Sequence, residues 1–347
     1  MVEAKTMKIN VWNTILQLSK ERGVEPSIII SAIEESLRVA SANYFNHNEK
    51  IIVSFRPEKG ELRVYTVKRV VEKSRDLAVE ISLDEAKKVR PSAAMGERIE
   101  IELPADTLGR ISAQAAKQVI FQKVRDAEQE KVYVDFAPRV GEIVAGTVRR
   151  FENGNAILEV NKTEALFMAR EMLPNEEFGR GDTVRALITQ VQKATKGPQI
   201  FVSRTHPKFL AKLLELEIPE IANGNIEIKD LVRQPGERSK VAVLSKERDI
   251  DPVGACIGVK GNRILNISKE LQGEKIDVIP WSAHPPSYAK AALSPARIDK
   301  ILLLDKTDKA MQAIVPKDQL SLAIGKRGIN VKLASRLVGW KIEIKQV

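Results

Sequence analysis

Apolar positions change their spacing several times along this chain, and each change predicts a different kind of element. "WNTILQLSKERG" and "PSIIISAIEESLRVASANYF" repeat apolar residues every three or four positions and predict amphipathic helices, the second starting at Pro26. Strand-like runs follow at "KIIVSFR", "ELRVYTVKRVV" and "RIEIEL". Helical spacing returns in "DTLGRISAQAAKQVIFQKVRDAEQEKVYVDF", expected to act as a semi-rigid spacer. Residues 138–204 then string five short strands between glycine and asparagine turns, through "GEIVAGTVRRFENGNAILEV" and "GDTVRALITQVQKATKGPQIFVSRT", which points to a small barrel.

The last third repeats itself. "DPVGACIGVKGNRILNISKELQGEKIDVI" (251–279) aligns with "DQLSLAIGKRGINVKLASRLVGWKIEI" (318–344), so that Gly258 and Gly261 match Gly325 and Gly328, each 67 residues on. That period suits two copies of a small domain better than a solenoid. Each copy reads helix, strand, strand, short helix, two-glycine turn, helix, strand. Asp251 and Asp318 are the expected N-caps of the two short helices, with Pro252 at a first helical position.

Three phosphate-binding motifs contain glycines at comparable spacing. A Walker loop requires Lys followed by Ser or Thr, which neither turn has, and a dinucleotide fingerprint requires a strand directly before the glycines. The third is the G-x-x-G loop of a KH domain, which joins two helices and clamps single-stranded backbone. Glycines permit the sharp turn and close approach, and the following helix presents free N–H groups. The candidate residues are Gly258, Val259, Lys260, Gly261, Asn262 and Arg263 in the first copy. In the second they are Gly325, Lys326, Arg327, Gly328, Asn330 and Lys332. The competing reading is a plain helix–helix corner. Cys256 reads as a small packed residue, and Trp281 and Trp340 as core before base-stacking.

Charge sharpens the picture. Of the formal net +10, a net +8 falls in residues 240–347, around both turns, and a localised basic region is the footprint of a nucleic-acid binder. At 347 residues, two to four domains are expected. No apolar run is long enough to span a bilayer, and "MVEAKTMKIN" has no secretory signal character, so a cytoplasmic location is expected. One cysteine excludes an internal disulfide and a Cys-rich zinc site. His47, His206 and His284 lack mutual metal-ligand spacing, and Glu34-Glu35 and Glu176-Glu177 read as solvated faces. No cofactor, metal or catalytic residue is expected.

The repeat resembles tandem prokaryotic-type KH domains over about residues 206–347. The strand order of 138–204 resembles the S1 motif, an RNA-binding OB-fold, with one departure. Where that family has F-G-x-F, this chain has Asn153-Gly154-Asn155-Ala156, so two stacking rings are missing. Phe151 and Phe167, assisted by Arg149, Arg150 and His206, are candidate replacements; both phenylalanines are equally readable as core. The whole layout resembles the NusA family of bacterial transcription factors. The resemblance implies a multidomain α+β protein. Residues 1–134 would be an RNA polymerase-binding α/β domain with its helical connector, 135–204 an S1 barrel, and 205–282 and 283–347 two KH domains of order α-β-β-α-α-β. It implies a monomeric, non-enzymatic factor that binds RNA polymerase and nascent single-stranded RNA, with other antitermination factors as further partners and no membrane. Family members that continue into acidic repeats differ from this chain, which stops at Val347, so functions resting on those repeats are expected to be absent or carried elsewhere. A general RNA-binding protein of ribosome assembly or translation would use the same modules. An RNA-processing enzyme would need a catalytic domain at the front, where no motif supplies one.

Overall fold

The computed structural model describes residues 11–22, 24–44, 51–56, 61–102, 105–174, 176–193 and 199–346. His47 and the amino-terminal residues 1–10 lie outside them. The chain falls into two units, 1–132 and 133–347.

In the first unit, α1 (Val11–Arg22) and α2 (Pro26–Tyr44) match the two expected amphipathic helices. Their apolar stripes bury Ile15, Ile29 and Ile33 in one cluster with Val24. The strands β1 (Ile51–Arg56) and β2 (Glu61–Val71) pair antiparallel. Next come β3 (Glu80–Ser82), α3 (Leu83–Val89) and β4 (Arg98–Glu102). At eleven residues, β2 is long enough to take three partners along its length: β1, then β4 antiparallel, then β3 parallel. The sequence reading misses β3 and α3. Their signal was present in Ser82-Leu83-Asp84-Glu85, where Ser82 Oγ accepts from the Glu85 amide at 3.4 Å and donates to the Glu85 carboxylate at 3.0 Å, in the manner of a capping box. The helix α4 (Ala105–Phe136) continues past the unit boundary. It is more than a spacer, because Val124 is buried in the α1/α2 cluster and Ala127 packs beside it.

The second unit opens with the strands β5 (Ile143–Glu152), β6 (Asn155–Val160), β7 (Thr163–Phe167), β8 (Thr183–Val191) and β9 (Ile200–Ser203), which close into a barrel in the order β5-β6-β7-β9-β8. Alternate residues line its interior, among them Val144 and Val148, Ala156 and Leu158, Ala165 and Phe167, Val184 and Ala186, and Ile200 and Val202, all buried.

The first repeat copy comprises α5 (Pro207–Glu217), a short α6 (Pro219–Ala222), β10 (Ile226–Gln234), β11 (Arg238–Ser245), α7 (Pro252–Ile257), α8 (Asn262–Glu270) and β12 (Lys275–Pro280). The second comprises α9 (Pro285–Ala292), β13 (Lys300–Asp305), β14 (Ala310–Val315), α10 (Leu320–Ile324), α11 (Ile329–Val338) and β15 (Lys341–Gln346). In both, the first two strands are antiparallel and the last joins the second in parallel, as β10-β11-β12 and β13-β14-β15. Only α6 lacks a counterpart among the described residues of the second copy.

The three modules of this unit share cores. Leu173 and Leu187 of the barrel region join the first copy's cluster around Phe209, Leu213 and Leu271. Ala242 and Ile279 of the first copy join the second copy's cluster around Leu293, Met311 and Leu337. Trp281 and Trp340 pack at its edge, partly buried, as the core reading anticipates.

Candidate nucleic-acid interface

The two-glycine turns have the same backbone in both copies. Gly258 (φ 76, ψ 177) ends α7 and Gly325 (φ 75, ψ 168) ends α10, both in a region open essentially to glycine alone. A Cβ on Gly258 would lie 2.6 Å from Asn262 Oδ1, and one on Gly325 would lie 2.8 Å from the Asn330 main-chain nitrogen. Lys260 (φ 52, ψ 24) and Arg327 (φ 53, ψ 24) then adopt left-handed conformations, followed by Gly261 (φ 78, ψ 11) and Gly328 (φ 73, ψ 16) at the starts of α8 and α11. Neither N-cap glycine has a side chain to offer, and the turn closes on itself instead: the Asn262 and Ile329 amides, first in α8 and α11, donate to the Val259 and Lys326 carbonyls.

Of the candidates around the second turn, Lys326, Arg327 and Lys332 are exposed. Arg327 Nη1 lies 3.8 Å from the carboxylate of Glu237, which sits in the β10–β11 turn of the first copy. Asn330 corrects the sequence reading. It is buried, and its Nδ2 donates to the carbonyls of Leu293 (3.1 Å), Leu322 (3.3 Å) and Ala323 (3.0 Å), so its amide ties the turn to the core and does not face a ligand.

Around the first turn, Val259 and Lys260 project outward, Val259 with 79% of its surface exposed. Arg263 faces inward, contrary to expectation: Nη1 donates to Glu220 (2.8 Å) and to the Ala255 carbonyl (2.6 Å). Asn262 Oδ1 accepts from the Arg263 amide within its own helix. Asp251 caps α7 as expected, accepting from the Val253 amide at 3.1 Å, with Pro252 in the first turn. Asp318 does not cap α10. It lies in a 3-10 turn (Lys317–Gln319) and accepts from Gln319 and Arg297. Cys256 is fully buried, and burial pushes its thiol up to about 11, which suits a packing residue.

The barrel candidates lie apart from the turns in sequence and differ among themselves. Phe167 is fully buried, with its ring 5.9 Å from that of Phe178, so it belongs to the barrel core and cannot stack on a base. Phe151 is 47% exposed on β5. Arg149 is bidentate to Glu159 (2.9 and 2.7 Å). Arg150 pairs with Glu152 at 2.6 Å and with Glu164. Hydrogen bonds donated to these carboxylates hold both guanidinium pKa values above the ordinary range. His206 caps α5, its Nδ1 accepting from the Lys208 amide at 3.1 Å, and burial lowers its pKa.

Sequence reasoning misses the ionic junctions that hold these modules together. Arg204, just after β9, donates from Nε to Glu176 (2.8 Å), whose side chain is buried and not on the solvated face expected of it, and from Nη1 to Glu270 (2.9 Å) and the Arg185 carbonyl (2.6 Å). Arg233 and Glu274 form a bidentate pair whose side chains are both fully buried, and Glu274 also accepts from the Gly236 amide at 2.8 Å. Lys240 donates to Asp277 and to the Ser294 carbonyl of the second copy, both at 2.8 Å. Burial lowers its pKa against the pull of Asp277. Nothing in an isolated Arg, Glu or Lys distinguishes such a buried partner from a surface charge.

Comparison with known proteins fits this arrangement. Family models match residues 10–130 (NusA N-terminal domain), 204–281 (NusA-like first KH domain) and 285–347 (NusA-like second KH domain). A relative from Halalkalibacterium halodurans is 45% identical over 339 residues, covering 98% of this chain and 88% of that protein. One from Bacillus subtilis is 43% identical, covering 98% and 91%. One from Thermus thermophilus is 38% identical, covering 95% and 88%. All three carry the name transcription termination/antitermination protein NusA.

Proposed function

This chain belongs to the NusA family and is a transcription elongation factor, and we propose that it works by docking on RNA polymerase through its first unit while its second unit holds emerging single-stranded RNA. The observation that carries the RNA assignment is the doubled turn. Two copies of one glycine-dependent backbone each stand at a helix N-terminus, inside the basic third of the chain. The positive end of each helix dipole favours phosphate there, and Lys260, Lys326, Arg327 and Lys332 supply charge.

In this reading residues 1–134 form the polymerase-binding domain with its connector, 135–204 the S1 barrel, 205–282 the first KH domain and 283–347 the second. Tethering at the polymerase raises the effective concentration of the KH pair beside the emerging transcript, through which pausing, termination and antitermination are modulated. The barrel contributes mainly by position, because Phe167 lies in its core and Arg149 and Arg150 are paired with Glu159 and Glu164. We assign no chemical step to the protein and place its work in the cytoplasm, as a monomer, with other antitermination factors as further partners.

A transcription assay on a paused template tests the reading. The full chain should prolong pausing, residues 1–132 or 133–347 alone should do so less, and the full chain carrying Lys326→Glu and Lys332→Glu should lose most of the effect. Equal activity of residues 133–347 alone would remove the docking role from the first unit. Capture of ribosomal subunits but not RNA polymerase by the full chain would favour the ribosome-assembly alternative.

A further inference from the structure

We propose that the two KH copies divide the task of RNA recognition: the first reads bases through an apolar lip, Val259 and Leu265, and the second anchors phosphates through Lys326 and Lys332. This rests on the reading that both turns hold single-stranded RNA, and it assigns them unequal roles.

The equal backbone of the two turns makes a position-by-position comparison meaningful. At an offset of 67 residues, Val259 corresponds to Lys326, Lys260 to Arg327, Arg263 to Asn330 and Leu265 to Lys332. One feature is shared: Ile257 and Ile324, just before the first glycine, are each 38% exposed. The copies diverge on the other side of that glycine. A Cβ placed on Gly261 would lie 4.0 Å from Leu265 Cδ1, and one placed on Gly328 would lie 3.7 Å from Lys332 Cε. The residue four places into each second helix therefore leans back over the turn, and it is apolar in one copy and cationic in the other.

Charge and exposure separate the two further. Val259 is 79% exposed and Leu265 54%, so with Ile257 the first turn presents three large aliphatic side chains to water within nine residues. Isolated exposed aliphatics are ordinary, but a cluster at the rim of a ligand-binding turn is informative. The one further cation of that segment, Arg263, is turned away to Glu220 and the Ala255 carbonyl. Lys260 is left as the cation of the first turn, against Lys326, Arg327 and Lys332 at the second.

Phosphate contacts fix position and carry no sequence information, whereas apolar and edge contacts to bases do. An aliphatic lip gives little to a phosphate and covers the face of an unstacked base. A lysine that leans over the turn does the reverse. Sequence preference should therefore reside in the first copy and salt dependence mainly in the second.

The test uses the full chain and short homopolymeric oligoribonucleotides of A, C and U, with affinity measured by fluorescence anisotropy over a salt series. Lys326→Gln with Lys332→Gln should weaken all three homopolymers by the same factor and flatten the log–log salt slope by about 1.4, two contacts at about 0.7 each. Val259→Ser with Leu265→Ser should weaken the preferred homopolymer by about fivefold, narrow the spread among the three and leave the slope unchanged. Val259→Lys with Leu265→Lys should steepen the slope and narrow the spread. All four side chains are exposed, so the fold should tolerate these changes, and melting curves check that it does. The division of labour is overturned if wild type shows no preference, if the serine pair alters slope but not spread, or if the glutamine pair alters spread. If both pairs change affinity, slope and spread alike, the turns bind RNA but share the work. If neither pair changes affinity, the RNA-binding reading of the turns falls as well.

Discussion

Arg263 and Asn330 occupy the same place in the two copies and make the same bond. Arg263 Nη1 donates to the Ala255 carbonyl at 2.6 Å, and Asn330 Nδ2 donates to the Leu322 carbonyl at 3.3 Å, each three residues before the first glycine of its turn. The residues differ because their surroundings do. In the first copy, Glu220 of α6 gives a guanidinium its counter-charge. In the second, a neutral amide is buried among carbonyl groups.

Asn330 should therefore matter for stability. Asn330→Ala removes a donor from three carbonyls and should cost about 1–3 kcal/mol. Asn330→Asp has nearly the same shape but sets an anion against those oxygens, and should cost more. Urea unfolding of both variants provides the check, and an aspartate variant as stable as wild type would refute the packing account.

The four turn glycines should not respond alike to substitution. At Gly325 an alanine Cβ would press on the Asn330 backbone in a conformation closed to other residues, so Gly325→Ala should destabilise by about 1–3 kcal/mol for backbone strain alone. Gly328 is left-handed, and the nearest atom to its added Cβ is the flexible Lys332 Cε at 3.7 Å. Gly328→Ala should cost about 1–2 kcal/mol. Gly328→Asp should stay folded, by melting curve, while losing RNA affinity to its added negative charge.

Glu270 links stability to pH. Burial raises its pKa, but hydrogen bonds from Arg185 and Arg204 outweigh that, so the net shift is below the ordinary 4.5. A carboxylate depressed on folding stabilises above its unfolded pKa and loses that contribution as pH falls through its folded one. The urea midpoint of wild type should thus exceed that of Glu270→Gln at neutral pH, with the gap closing below about pH 4.5. A gap independent of pH would mean the ion pairs contribute nothing.

Glu237 competes with phosphate for Arg327. The pair is largely exposed, and such contacts are worth at most about 1 kcal/mol. Glu237→Gln should tighten RNA binding by up to about fivefold, with a salt slope steeper by up to about 0.7. Weaker binding by this variant would instead make Glu237 a residue that orients Arg327 for its ligand.

What the sequence revealed depended on whether the signal was local. The turns were legible because glycine at fixed spacing, recurring 67 residues on, reports a backbone demand directly. The barrel strands were legible from alternation, but alternation does not say which face of β7 is inside, and Phe167 fell on the inner one. Asn330 and Arg263 read as surface ligands because a polar side chain looks the same whether water or a buried carbonyl receives its hydrogen bond. Arg204, Arg233, Lys240 and Glu274 escaped notice for the same reason, since their partners include residues as much as 66 positions away.

The most direct test is photo-crosslinking of the nascent transcript to the full chain within stalled elongation complexes, followed by mapping of the attached peptides. A transcript long enough to have left the polymerase should attach to segments around 257–265 and 324–332, and attachment to the second segment should fall in Lys326→Glu. Crosslinks confined to residues 11–132, or to the Arg149–Phe151 face of the barrel with both turns unlabelled, would contradict the account.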